Sequence, residues 1–214
     1  MVALALSWWH VPGLSPVAQT SAPPDRASVV ERDARLVLLA RADPREFEHL
    51  VRLYERRVYA TALRLLGEPS DAEDVAQEAF VRAFRSLERF DVTRPFGPWV
   101  CVIAANLARD QLRSPLRRFR LLGLFGGREE AAPRARDPIA VDEEREEVAR
   151  ALAQLTPPLR EAVVLRFVSD LSIEEIARAL GIGESAAKMR LKRGLAALRE
   201  IIGEATPLDD ELDG

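Results

Sequence analysis

From Phe47 onward, Leu50, Val51, Tyr54, Val58, Ala62, Leu65 and Leu66 recur at spacings of three and four, which predicts an amphipathic helix with one buried face. Asp43 and Pro44 supply its N-cap and first-turn proline, and Gly67 ends it. Ser70 or Asp71 then caps a second helix, whose acidic run Asp71–Asp74 suits the positive end of the helix dipole. Its two faces differ. Ala72, Val75, Ala76, Ala79, Phe80, Ala83 and Leu87 gather on one side, and Asp74, Gln77, Glu78, Val81 and Arg85 on the other. The first face is core; the second is either solvated by Glu/Arg pairs or free for docking. Between Leu87 and Trp99 the stretch LERFDVTRPFGPW predicts a loop, because two prolines and a glycine interrupt any period. A third helix covers Val100 to Arg113, apolar through Val100, Ile103, Ala104 and Leu107, with Asn106, Arg109, Asp110 and Arg113 around its other sides.

The same pattern, read at the other end of the chain, predicts a helix-turn-helix over Leu171–Arg199. Ser172 and Glu175 form a capping-box signature, and Leu171 is placed to staple against Ile176. Gly181 closes this helix, and a second starts near Glu184 or Ser185. On that second helix Ala187, Leu191, Leu195, Leu198 and Ile202 share one stripe; Ser185, Lys188, Met189, Lys192 and Arg193 share the opposite one. Such a stripe fits a major groove: basic side chains reach phosphates and guanine edges, and Met189 suits a thymine methyl. The plainer reading is a basic solvated face.

Charge changes the picture. With 31 Lys+Arg against 34 Asp+Glu the net charge is -3, so the chain should grip free duplex poorly and a partner should supply the remaining affinity. The basic residues are local, at 109–120 and 188–199, and acidic runs at 142–147 and 209–213 offset them. A length of 214 residues allows two small cores of roughly 70 residues each. The fold expected is all-α: two small helical domains joined by a flexible linker, the second containing the helix-turn-helix. The single cysteine, Cys101, sits in an apolar stretch and reads as a buried thiol, and His10 and His49 stand apart, so no metal site is expected. Residues 1–40 read as a disordered N-terminal extension, with the composition of residues 1 to about 28 the clearest case. The opening MVALALSWWHVPGL is apolar but lacks a positive n-region and is too short to span a bilayer, so no membrane insertion is expected. Residues 115–141 carry Gly123, Gly126, Gly127, Pro133 and Pro138 and read as a linker that could reach roughly 80 Å. Residues 204–214 form an acidic tail.

The loop between Leu87 and Trp99 offers chemistry of its own. Aromatic rings beside Arg89 and Arg94 can stack on single-stranded bases and hold their backbone. Alternatively Phe90, Phe96 and Trp99 close a small core beneath the loop, the reading preferred for Trp99.

The segments EFEHLVRLYERRVYATALRLLGEPSDAEDVAQEAFVRAFRSLERF, FGPWVCVIAANLARDQLR and LTPPLREAVVLRFVSDLSIEEIARALGIGESAAKMRLKRGLAALR resemble, in order, the two domains of bacterial extracytoplasmic-function sigma factors. The resemblance covers residues 45–202 apart from the linker. It implies a region 2-like domain over 41–114, the linker at 115–141 and a region 4-like domain over 142–203. It also implies a non-enzymatic, cytoplasmic protein without cofactor. The implied partners are core RNA polymerase, touched at its β′ coiled coil and β flap, promoter DNA, and an anti-sigma factor. Asp74, Gln77 and Glu78 match the family's polymerase-binding surface. The loop from Glu88 to Pro98, with Arg89, Phe90, Arg94 and Phe96, matches the one that captures a flipped minus-10 base, and Asn106, Arg109 and Arg113 accompany the strand. Ser185, Lys188, Met189, Arg190, Lys192 and Arg193 fall where the family reads the minus-35 duplex. Met189 and Lys192 depart from the commoner choices, so the preferred minus-35 sequence is not copied from relatives. Phe96-Gly97-Pro98 makes the loop stiffer than usual. Two other classes fit the residues alone: a stand-alone helix-turn-helix regulator, and a helical adaptor without DNA contact.

Overall fold

The computed structural model describes residues 25–114 and 143–203, with side chains in the second segment from Glu147. The expected linker and acidic tail, and the expected extension up to residue 24, lie outside the described residues. Eight α-helices occur among the described residues, with no strand: α1 (Arg26–Ala42), α2 (Phe47–Leu66), α3 (Pro69–Arg85), α4 (Phe96–Arg113), α5 (Glu143–Gln154), α6 (Pro157–Phe167), α7 (Ile173–Leu180) and α8 (Glu184–Ile202). Short 3-10 turns at Pro44–Glu46 and Leu87–Arg89 precede α2 and follow α3. No helix among the described residues is long and apolar enough to cross a membrane.

Three elements begin differently from expectation. Much of the supposed extension is helix α1, whose inward residues are Asp33, Val37 and Ala40. That stripe is headed by a carboxylate, while Leu38 and Leu39 face solvent, so hydrophobicity along α1 has no helical period. Helix α3 starts at Pro69 rather than being capped by Ser70 or Asp71; Glu68 occupies the cap position and makes no side-chain cap bond. Proline suits that first position because its missing N–H would be unpaired there anyway. Helix α4 starts at Phe96, not Val100, so Phe96-Gly97-Pro98-Trp99 is its first turn instead of loop. Pro98 is tolerated because it too falls in the turn whose N–H groups lack intrahelical partners.

Helices α2, α3 and α4 close around Leu50, Val58, Ala62, Ala72, Ala79, Ala83, Val100, Cys101, Ala104 and Ala108, all fully buried. The alanines let three helices approach closely, and α2 ends where Gly67 adopts φ 77° and donates to the Leu63 carbonyl at 2.8 Å. Helices α5, α6 and α8 bury Leu152, Leu155, Val163 and Leu191 between them, with Leu195, Leu198 and Ile201 packed alongside. Gly194 permits this approach: a Cβ there would lie 2.7 Å from Val163 Cγ2 and 3.2 Å from the Leu159 carbonyl oxygen. Val164, Leu165, Leu171, Ile176 and Ala187 continue the core of α2–α4. At that junction the Thr61 and Ser169 hydroxyls meet at 3.0 Å, both fully buried.

Candidate nucleic-acid and polymerase interface

The helix-turn-helix is built by its caps. Glu175 N–H donates to Ser172 Oγ at 3.2 Å and Ser172 N–H donates to Glu175 Oε2 at 2.8 Å, a complete capping box. Burial alone would push the Glu175 carboxyl up, but the Ser172 backbone N–H and the Arg26 guanidinium, 2.7 Å away, hold it below its ordinary value. At the other end Gly181 takes φ 64°, its N–H donates to the Arg178 carbonyl at 3.3 Å, and Ile182 N–H donates to the Ala177 carbonyl at 3.0 Å. This pair of bonds closes α7 and turns the chain into α8 with Gly183 as its N-cap.

Helix α8 buries Ala187, Leu191 and Gly194, leaving Ser185, Met189, Lys192 and Arg193 exposed and Lys188 and Arg190 half-buried. Met189 is 49% exposed, so a large apolar side chain stands in the middle of a basic stripe. The geometry can place one row of side chains in a groove while the opposite row stays in the core.

Helix α3 carries the second surface. Ala72, Val75, Ala76, Ala79, Phe80 and Ala83 are buried; Asp74 and Gln77 are exposed and Glu78 is half-buried. Glu78 accepts from Arg82 Nε at 2.8 Å, and Val81 is exposed between these polar groups. Asp74, Gln77, Glu78 and Val81 thus form one outward stripe.

The loop before α4 corrects one expectation. Phe90 is 6% exposed and Phe96 is fully buried, so neither presents a ring for a base. Their ring centroids lie 5.6 Å apart, and the Trp99 ring lies tilted 4.7 Å from Phe90 and edge-to-face 5.4 Å from Phe96. The three aromatics are the floor of the loop. Arg89 and Arg94 are exposed. Between them Asp91 Oδ1 accepts from Thr93 N–H at 3.0 Å and from Thr93 Oγ1 at 2.6 Å, and Arg94 pairs with Asp91 at 3.3 Å. The Thr93 hydroxyl bond, foremost, holds the Asp91 carboxyl below its ordinary value. On α4, Asn106 and Arg113 are exposed, and Asn106 accepts from Arg109 at 3.0 Å. Arg109 also donates through Nε to Glu161 of α6 at 2.8 Å.

A buried network escaped the sequence reading. Asp33, fully buried, accepts from Tyr54 Oη at 2.8 and 2.6 Å through its two oxygens, from Phe96 N–H at 2.8 Å and from Arg32 at 2.9 Å. Burial and the bond to Asp33 push the Tyr54 phenol well above its ordinary value. The one available signal was a lone aspartate in a helix-compatible segment, which is too common to single out. Among the described residues no group of three His, Cys, Asp or Glu side chains is placed to hold a metal.

Two helical units, the second ending in a helix-turn-helix with a basic outward stripe, are the architecture of a DNA-binding transcription factor. The sigma-70 region 2 family model matches residues 50–118, and the sigma-70 region 4 model matches residues 145–198. The chain is 39% identical over 164 residues to the RNA polymerase sigma factor CarQ of Myxococcus xanthus, spanning 74% of this chain and 90% of that one. It is 30% identical over 175 residues to the ECF RNA polymerase sigma factor SigW of Bacillus subtilis, spanning 78% and 94%. Among solved structures, CnrH in complex with the cytosolic domain of CnrY superposes with a TM-score of 0.57 at 26% identity, covering 81% of this chain and 99% of that chain. The chain belongs to the extracytoplasmic-function RNA polymerase sigma factors. Its function is promoter-specific transcription initiation with RNA polymerase on DNA, and the family is not a class of enzymes.

Proposed function

We propose that the exposed stripe of α8, Ser185, Lys188, Met189, Arg190, Lys192 and Arg193, reads the minus-35 element as duplex. The observation that carries this is the pairing of a doubly capped α7 with an α8 whose basic row stands opposite its buried row. In a groove, Arg193 and Lys192 would take phosphates or guanine edges and Met189 a thymine methyl. Asp74, Gln77 and Glu78 dock on the β′ coiled coil of the polymerase, supported by their shared outward stripe beside exposed Val81. The loop from Glu88 to Pro95 captures a minus-10 base over an aromatic floor, with Arg89 and Arg94 as its accessible cations, and Asn106, Arg109 and Arg113 follow the displaced strand. Because Arg109 is paired with Glu161, its contact with a strand requires that pair to open. The region 2-like unit spans 41–114 together with α1, and the region 4-like unit 142–203. The second unit also touches the β flap, and an anti-sigma factor regulates the protein in the cytoplasm; the CnrH complex with a cytosolic partner domain supports such control.

The test is transcription by the reconstituted holoenzyme on promoters randomised separately at minus-35 and minus-10. Arg193→Ala should relax base preference at minus-35 only. A change confined to minus-10, or an equal loss at every promoter, contradicts the assignment of α8.

A further inference from the structure

The loop that we assign to minus-10 capture is held at both ends by α1, a helix that precedes the residues matched by the region 2 family model. At its start, Arg41 donates through Nε and a terminal nitrogen to the Leu87 carbonyl at 3.1 and 2.9 Å, and to the Phe90 carbonyl at 2.7 Å. At its end, Asp33 Oδ2 accepts the Phe96 N–H at 2.8 Å. This bond does what the local sequence cannot. The N-cap residue of α4 is Pro95, which has no side-chain acceptor, so the first N–H of α4 takes its partner from a carboxylate 63 residues upstream. Negative charge at that position also complements the helix dipole.

We propose that Asp33 and Arg41 are positioning residues for minus-10 recognition, fixing the loop's two ends so that its exposed span meets a flipped base in one conformation. The two residues lie eight positions apart, roughly 12 Å along the helix, and between Phe90 and Phe96 the hydrogen bonds seen among the described residues are local, around Asp91. The carbonyls of Leu87 and Phe90 and the N–H of Phe96 are backbone groups, so their partners set the path of the main chain itself. A loop released at either end keeps its aromatic floor through Phe90, Phe96 and Trp99 but loses the single geometry of the span above it. Arg89 and Arg94 sit on that span.

This inference rests on the minus-10 reading of the loop, and the experiment separates the two. Full-length wild type, Asp33→Asn and Arg41→Met are assembled with core polymerase on a promoter carrying 2-aminopurine in the non-template minus-10 strand. Three quantities are read: affinity for core, open-complex fluorescence, and preference among the four bases at the captured position. Both variants should assemble with core as wild type does, lose about tenfold in open-complex formation, and discriminate less among bases. Arg41→Met keeps the apolar stem of Arg41 and the Asp33 network, so it carries the test if Asp33→Asn fails to fold. Folded variants with wild-type opening and base preference overturn the proposal. So does a parallel loss of core binding and opening with base preference unchanged, which marks a merely structural role. A wild-type holoenzyme that opens promoters without any base preference at this position overturns the minus-10 reading itself, and this inference with it.

Discussion

Gly97 sits where the first turn of α4 passes closest to Tyr54. A Cβ there would lie 2.4 Å from Tyr54 Cε1 and 2.9 Å from Cδ1, whereas ordinary contact begins at 3.4 Å. Substitution by alanine therefore requires the ring to withdraw by about 1 Å, which overpacking of this kind makes costly. Tyr54 is poorly placed to yield, since it is buried and its hydroxyl donates to Asp33 across 2.6–2.8 Å. Withdrawal by that amount stretches the bond past useful length. Overpacking costs about 1–3 kcal/mol and a weakened bond to a charged group about 1.5–3 kcal/mol. The two are alternatives as much as a sum, so about 3 kcal/mol is the expected loss for Gly97→Ala. Little is regained from alanine's helix propensity, because residue 97 lies in the first turn. For a chain of this length the loss corresponds to a fall in Tm of roughly 6–12 °C, read by far-ultraviolet circular dichroism. The cause is checked by a double-mutant cycle with Tyr54→Leu, in which the added methyl should cost less than about 1 kcal/mol. A Gly97→Ala melt within about 1 °C of wild type, or strictly additive effects in the cycle, would mean that Gly97 has no steric conflict with Tyr54.

Other outcomes follow from the same geometry. Ser172→Ala removes the capping box of α7 and should cost about 1 kcal/mol in denaturant unfolding, while Ser172→Asn should cost much less. Removal of one phosphate contact by Lys192→Ala should shallow the log–log salt dependence of holoenzyme binding to a minus-35 duplex by about 0.9; an unchanged slope places Lys192 outside the interface. Cys101 is buried, and that burial pushes its thiol from 9.0 to about 11. The folded protein should therefore resist alkylation at pH 8 and react only as it unfolds. Since the folded pKa is raised, the neutral thiol's contribution is complete below pH 9.0 and is lost as pH rises towards about 11, a decline that Cys101→Ala should remove.

How much of this was readable from residues alone depended on whether the determining contacts are local. The helix-turn-helix was legible because Ser172, Glu175 and Gly181 act on their own backbone within a few positions, and the two faces of α3 because alanine and phenylalanine recur at the helical period. Helix α1 was not, because its inward stripe begins with Asp33 and its leucines at 38 and 39 face outward. That inversion makes sense only with Tyr54 and the first turn of α4 in place. The start of α4 was missed for the same reason: Gly97 and Pro98 read as breakers until Asp33 is seen to supply the cap that Pro95 lacks. Phe90 and Phe96 were ambiguous, since aromatics beside arginines serve either bases or a core. Long-range packing decided for the core.

If the outward face of α3 docks on RNA polymerase and the basic row of α8 reads the promoter, reversing a charge on α3 should abolish promoter choice. Run-off transcription with purified core polymerase on a genomic promoter library, comparing wild type with Asp74→Arg, tests it most directly. Wild type should give discrete transcripts that vanish with Asp74→Arg, while the variant stays folded. Duplex binding without core, no new transcripts, and no effect of Asp74→Arg would contradict it and favour a stand-alone regulator.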